Sequence, residues 1–323
     1  MKNAFNFLTV LALCSSLLIF SCNQRNATEV EETPIPQGER LFSPNWELTE
    51  DLDGYEVTGL ELSFNSYIIA ATASGNLFRS KRNGDNWILA PAGNNAITIV
   101  HRSINNFMYA GTHSGELYYS NTNGRTWNLL RSFGDRINAI VTVKDSSIIL
   151  GTLSGLYRSE DNAETWSLVA NGIPSNLRIY SLIINNDGTI LAGSNDGLYL
   201  SNDNGLNWSL SGFNETCYNF AQSYNSSLFA GTQNGVFRSD NKGKNWLQVG
   251  LANERIISLA VTNDVHIFAG TNGRGIFYSH NNGYDWTNFG LDNKNISTIL
   301  EVRHLEMVFA GANNKVYRIA TNK

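Results

Sequence analysis

Three arginines carry the most suggestive chemistry in this chain. Arg136, Arg178 and Arg255 each open a short apolar run: RINAI, RIYSL and RIISL. A guanidinium is planar, permanently charged and presents a fork of N–H donors. Three of them turned toward one point would grip a carboxylate or a phosphate. Asp135 and Glu254 directly precede two of these arginines and offer a competing local ion pair. Other reactive residue types are less organised. The five histidines, His101, His113, His266, His280 and His304, lack ligand-like spacing, so no metal and no cofactor is expected. Asp53, Glu56, Asp135, Asp196, Glu254 and Asp292 fall in connecting loops, and no motif marks any two of them as partners. Glycoside hydrolysis needs two carboxyl groups about 5–9 Å apart across a cleft.

Whether the arginines meet depends on the elements that carry them, and those elements repeat. The seven tryptophans, Trp46, Trp87, Trp127, Trp166, Trp208, Trp246 and Trp286, are separated by 41, 40, 39, 42, 38 and 40 residues. Within each interval the pattern of Ser227–Trp246, SLFAGTQNGVFRSDNKGKNW, recurs. An apolar strand ends at Gly-Thr, a short turn follows, and a second strand ends at Ser. A tight turn then leads to the Trp and a third short strand. A further apolar run such as RIISLAV begins roughly ten residues later, which makes four strands per repeat of about 40 residues, the size of a propeller blade. Six such units run from about Val57 to Gly290. A seventh, built of ISTILEV, MVFAGA and VYRIA, has three strands and no Trp. Trp46-Glu47-Leu48 stands in phase with the series and supplies the missing strand. The expected fold class is therefore all-β: a single seven-bladed β-propeller over residues 42–323, its last blade closed by the N-terminal strand. Closure removes two exposed sheet edges. In such a ring, equivalent repeat positions converge on the central channel, which is how Arg136, Arg178 and Arg255 would come together.

The turn before each Trp is the most specific feature. It reads SKRNGDNW, SNTNGRTW, SEDNAETW, SNDNGLNW, SDNKGKNW and SHNNGYDW. These closely resemble the Asp-box, or BNR repeat, of form S-x-D-x-G-x-T-W. Ser and Asp side chains bond the local backbone and hold the turn. Gly takes a positive φ without penalty, and Trp is a large apolar anchor between sheets. The Asp is kept at Asp161 and Asp203, with Asn241 and Asn281 as near-equivalents. Arg82 and Thr122 depart from the pattern, and Ala163 replaces the Gly, so those three turns are expected to be less regular.

Asp-box propellers include sialidases, sortilin-type receptors, xyloglucanases and the photosystem II assembly-factor type. The chain is most similar in shape to the last, a single seven-bladed propeller with short loops, and that resemblance implies an arginine patch. Sialidases have six blades and an Arg-Ile-Pro signature that this chain lacks. Two functions follow. The first is a non-enzymatic binding or scaffold propeller recognising a protein, glycan or other anionic ligand at the channel mouth. The alternative is a sialidase-like or other glycan-acting hydrolase. Short loops leave little material for a lid that excludes water, which favours the first.

Net charge of −5 and a pI near 5.6 argue against nucleic acid as a partner. Residues 1–21 read as a secretory signal: Lys2 precedes an apolar run, Phe5–Phe20, too short for a convincing membrane span. The ending Leu18-Ile19-Phe20-Ser21-Cys22 resembles the bacterial lipobox. That resemblance implies cleavage after Ser21, acylation of Cys22 and attachment to the outer membrane, on its periplasmic or its outer side. Residues 22–41 are polar, acidic and proline-containing, as in a flexible tether. Cys217 would then have no internal disulfide partner and is expected as a small buried hydrophobe. The folded body is expected to be monomeric. Replacing the acylation site, Cys22→Ser, should move the protein from membrane to soluble fractions. Unchanged membrane association with unchanged lipid labelling would overturn the anchor.

Overall fold

The computed structural model describes residues 44–321, apart from 51, 53, 82, 144–146 and 263–265. The signal segment, the tether, Cys22, Asp53 and Arg82 lie outside the described residues. Seven four-stranded antiparallel sheets succeed one another along the chain. Their first strands are Val57–Leu62, Ile97–Arg102, Ile137–Thr142, Ile179–Ile184, Cys217–Gln222, Ile256–Val261 and Ile296–Val302. All seven border one central channel. In the last blade, Glu47–Leu48 pairs with Lys315–Ala320 through Glu47↔Arg318 and Leu48↔Tyr317. The ring is closed by the N-terminal strand, as the tryptophan phase requires. Arg318 braces the same seam, donating to the Asn83 carbonyl and, at 2.9 Å, to Asp85 Oδ1 of the first blade.

The blades meet through one repeated contact. Each second strand is buried along most or all of its length, as in Ile148–Thr152 and Leu228–Thr232. Its small residue receives the first residue of the next inner strand. A Cβ built on Gly111 would lie 2.6 Å from Ile137 Cγ2, one on Gly151 2.5 Å from Ile179 Cγ2, and one on Gly270 2.6 Å from Ile296 Cγ2. Gly193 faces Cys217 and Gly311 faces Val57 in the same way. Glycine is required here because no side chain fits, not because of its φ. Cys217 takes the isoleucine place in its blade, fully buried, and burial pushes its thiol pKa up. It is a packing residue.

The six Ser-to-Trp turns behave as variants of one template. In five of them the Ser Oγ accepts the N–H of the Gly position at 2.9–3.1 Å. The Asp or Asn Oδ1 accepts the N–H four residues on, at 2.8–2.9 Å from Asp161, Asp203, Asn241 and Asn281. The indole N–H then closes the turn on the Gly-position carbonyl, at 2.9–3.2 Å for Trp127, Trp166, Trp208, Trp246 and Trp286. Trp127 and Trp208 are buried, whereas Trp46, Trp87, Trp166, Trp246 and Trp286 are half-buried. Two of the expected irregularities do not arise. Thr122 Oγ1 accepts the Thr126 N–H at 3.0 Å, because a hydroxyl reaches where the carboxylate would. Ala163 keeps the hydrogen bonds at φ +75°, its methyl group buried. The first blade does depart: Ser80 Oγ donates to the Asp85 carbonyl.

Two outcomes test these contacts. Gly151→Ala forces a methyl group into Ile179 and should cost about 2 kcal/mol, the usual scale of overpacking. Combined with Ile179→Ala, the loss in denaturant unfolding should be clearly less than additive; strict additivity would separate the two sites. The second test is acid sensitivity. Hydrogen bonds from the Thr165 side chain and backbone hold Asp161 down at about 2, and the Asn207 N–H lowers Asp203. Folded carboxylates with depressed pKa values contribute stability above their unfolded value, and it is lost as pH falls through the folded one. Asp161→Asn with Asp203→Asn keeps the acceptors that Asn241 and Asn281 use. The double variant should lose less urea resistance between about pH 4 and pH 2 than the parent. Equal losses would show that these carboxylates do not govern acid unfolding.

Candidate functional site at the channel mouth

Every inner strand carries a register shift between its first and third residues. A β-bulge re-aims one side chain, and here the second residue of each strand borders the channel. At four blade junctions that residue zips the ring shut. Thr58 Oγ1 donates to the Ile97 carbonyl at 2.7 Å, Asn138 Nδ2 to Ile179 at 2.8 Å and Ser297 Oγ to Val57 at 2.6 Å. Thr98 Oγ1 does the same to Ile137. The fourth and fifth blades place Tyr180 and Tyr218 there instead, with ring centroids 5.4 Å apart. Tyr218 donates its hydroxyl to Gln233 Oε1 at 2.9 Å and carries the Arg255 guanidinium 4.4 Å above its ring.

The structure brings two of the three candidate arginines to the channel. Arg136 and Arg255 border it; Arg178 does not. The Arg178 N–H donates to Asn195 Oδ1 at 2.9 Å and its carbonyl accepts from the Asn195 N–H, so its backbone follows the neighbouring turn. Its side chain is exposed, and Tyr180, two residues on, holds the channel position. The local neutralisation that Glu254 offered does not occur, because Glu254 pairs with Arg274. Among the described residues neither Arg136 nor Arg255 has an ion-pair partner. Arg136 Nε and Asp135 Oδ2 are both buried without a hydrogen bond.

The channel encloses about 790 Å³. Its other end is quieter. Glu61 accepts the N–H of Leu62 at 2.8 Å and of Arg102 at 3.3 Å, while burial raises its pKa. Burial, reinforced by the charge of Arg102, holds His101 down at about 4, so its imidazole is neutral at physiological pH. Glu56 and Glu61 both border the channel but sit at opposite ends of one strand. At roughly 3.3 Å per residue they are about 16 Å apart, well beyond a glycosidase pair. The sequence reading missed Tyr180, Tyr218, Glu61 and His101. For the tyrosines a signal existed: RIYSL and ETCYNF place an aromatic where other repeats have Thr, Asn, Ser or Ile.

A family model described as the DUF6242 beta propeller domain matches residues 134–255, the stretch that holds all three arginines. No curated protein sequence matches the chain. Among solved structures, the chain is similar to the extracellular domain of a one component system from B. thetaiotaomicron, at 18% identity and a TM-score of 0.70. That match covers 84% of this chain and 39% of the other, so the chain spans well under half of that relative. YCF48 bound to a D1 peptide matches at 13% identity and a TM-score of 0.69, over 88% of this chain and 99% of the other. An ancestral GH74 enzyme matches at 19% identity and a TM-score of 0.68, over 85% and 46%. At these identities the likeness shows the fold, a seven-bladed β-propeller of four-stranded antiparallel blades.

Proposed function

We propose that the protein is a non-enzymatic binding propeller of the bacterial cell envelope, lipid-anchored through Cys22, that takes an anionic group of a protein or glycan partner at its channel mouth. The observation that carries this reading is the pair Arg136 and Arg255: both border the channel and neither is neutralised by a carboxylate. Tyr218 holds Arg255 in place, so little side-chain entropy remains to be lost on binding. The channel walls are of low dielectric, which strengthens a charge at their rim, and the net charge of −5 makes the mouth a local exception on an acidic protein. The YCF48 propeller with its D1 peptide is a neighbour of the same shape that takes a peptide. The GH74 neighbour favours the hydrolase alternative. The separation of Glu56 from Glu61 weighs against it.

Charge-assisted hydrogen bonds contribute roughly 1.5–3 kcal/mol each, a factor of ten or more in affinity. Arg136→Gln with Arg255→Gln should abolish capture of partners that the parent protein retains from envelope extract. Arg178→Gln should weaken capture little. Added salt should weaken the parent's binding. Identical partner sets from parent and double variant would overturn the mouth as the binding site, and turnover of a fluorogenic sialoside or xyloglucan by the purified protein would favour the hydrolase.

A further inference from the structure

On the opposite face of the ring, the third strands carry a second set of arginines. Arg79, Arg158, Arg238 and Arg318 hold the same register position in blades one, three, five and seven. Two of them span to the next blade's Asp-box turn. Arg158 is buried and donates through Nε to the Asn204 carbonyl at 2.8 Å and through Nη2 to Ser147 Oγ at 3.1 Å. Arg318 donates to the carbonyl of Asn83, the counterpart of Asn204. At these two junctions a guanidinium fills the gap, held also by a carboxylate, Glu160 for Arg158 and Asp85 for Arg318.

Between the second and third blades the register position belongs to Tyr119, paired with Tyr109 as Arg158 is with Ile149. Tyrosine lacks the reach of arginine, and a cavity of about 290 Å³ opens at this junction. Asn162, the counterpart of Asn204, borders it, and among the described residues no side chain donates to the Asn162 carbonyl. Phe107 stands where Ser147 stands one blade on, so Phe107, Tyr109 and Tyr119 bring three aromatic rings to the cavity. Aromatic faces attract a cation, and a guanidinium stacks on them better than an ammonium does. The volume sits at the lower limit of ligand pockets, room for one side chain rather than a larger molecule.

We propose that this cavity binds the guanidinium of an arginine side chain presented by a partner, in the place that Arg158 and Arg318 fill from within the chain at their own junctions. This site is independent of the channel mouth. The probe is N-acetylarginine amide, followed by ligand-observed NMR on the full chain, with the citrulline counterpart as its neutral isostere. Weak saturable binding of the arginine probe alone is expected. Tyr119→Arg should supply the missing strut, abolish binding and raise the melting temperature. Phe107→Leu, which leaves the cavity open, should weaken binding about fivefold through loss of one cation–π contact. Absence of saturable binding, equal binding of the citrulline compound, or binding undiminished in both variants would overturn the proposal.

Discussion

The whole ring depends on how closely neighbouring blades approach, and that distance is set by one branched side chain seated on a glycine. Ile137 on Gly111, Ile179 on Gly151 and Ile296 on Gly270 leave no room for a methyl group between them. A propeller closes only if its angular step per blade is nearly constant. Seven sheets sharing one contact type share one step. The contact varies at two junctions: Cys217 takes the isoleucine place opposite Gly193, and Ala71 takes the glycine place beside Ile97. Close-packed interiors resist the addition of a single methyl group wherever the surrounding side chains cannot give way.

The same junction builds the channel lining. Seating the first residue of each inner strand against the preceding blade is followed at once by the bulge, and the bulged second residue borders the channel. Four junctions use that residue to bond the next blade's carbonyl, which spends its polarity on closure. Tyr180 and Tyr218 are too large and too apolar to do so. Their junctions draw instead on the third residue: Ser181 Oγ donates to the Cys217 carbonyl, and Asn219 Oδ1 accepts the Leu259 N–H at 3.0 Å. Tyr218 instead carries Arg255 on its ring.

This explains what was legible in the sequence. The tryptophan spacing and the Ser-to-Trp turns are local signals, repeated often enough to give blade number, strand order and the closing role of Glu47–Leu48. The turn chemistry was legible in outline only. Thr122 was read as a departure because its residue type differs, yet the turn requires only an acceptor oxygen at the right reach. The convergence of Arg136, Arg178 and Arg255 was legible to the extent that repeat equivalence fixes position. It failed for Arg178, whose side chain is exposed outside the channel that Arg136 and Arg255 border, although its backbone bonds the neighbouring turn much as that of Arg255 does. Cation–π seating and channel burial, as for Arg255 and His101, are relations between blades that no single repeat displays.

Strand direction then divides the molecule into two unlike faces. Each inner strand starts at the arginine-bearing mouth, and three antiparallel strands later the chain reaches its Ser-to-Trp turn at the opposite end. Arg136 and Arg255 therefore lie on one face. The box turns, the Arg158 and Arg318 struts and the Tyr119 cavity lie on the other. The described chain also begins there, because Pro44 leads into an outer strand that runs from the box face toward the mouth. The chemistry follows the same division. Among the described residues the mouth presents the Arg136 and Arg255 guanidiniums without an ion-pair partner, while the opposite face presents the Asn204 and Asn83 carbonyls that accept Arg158 and Arg318, about one strand length away.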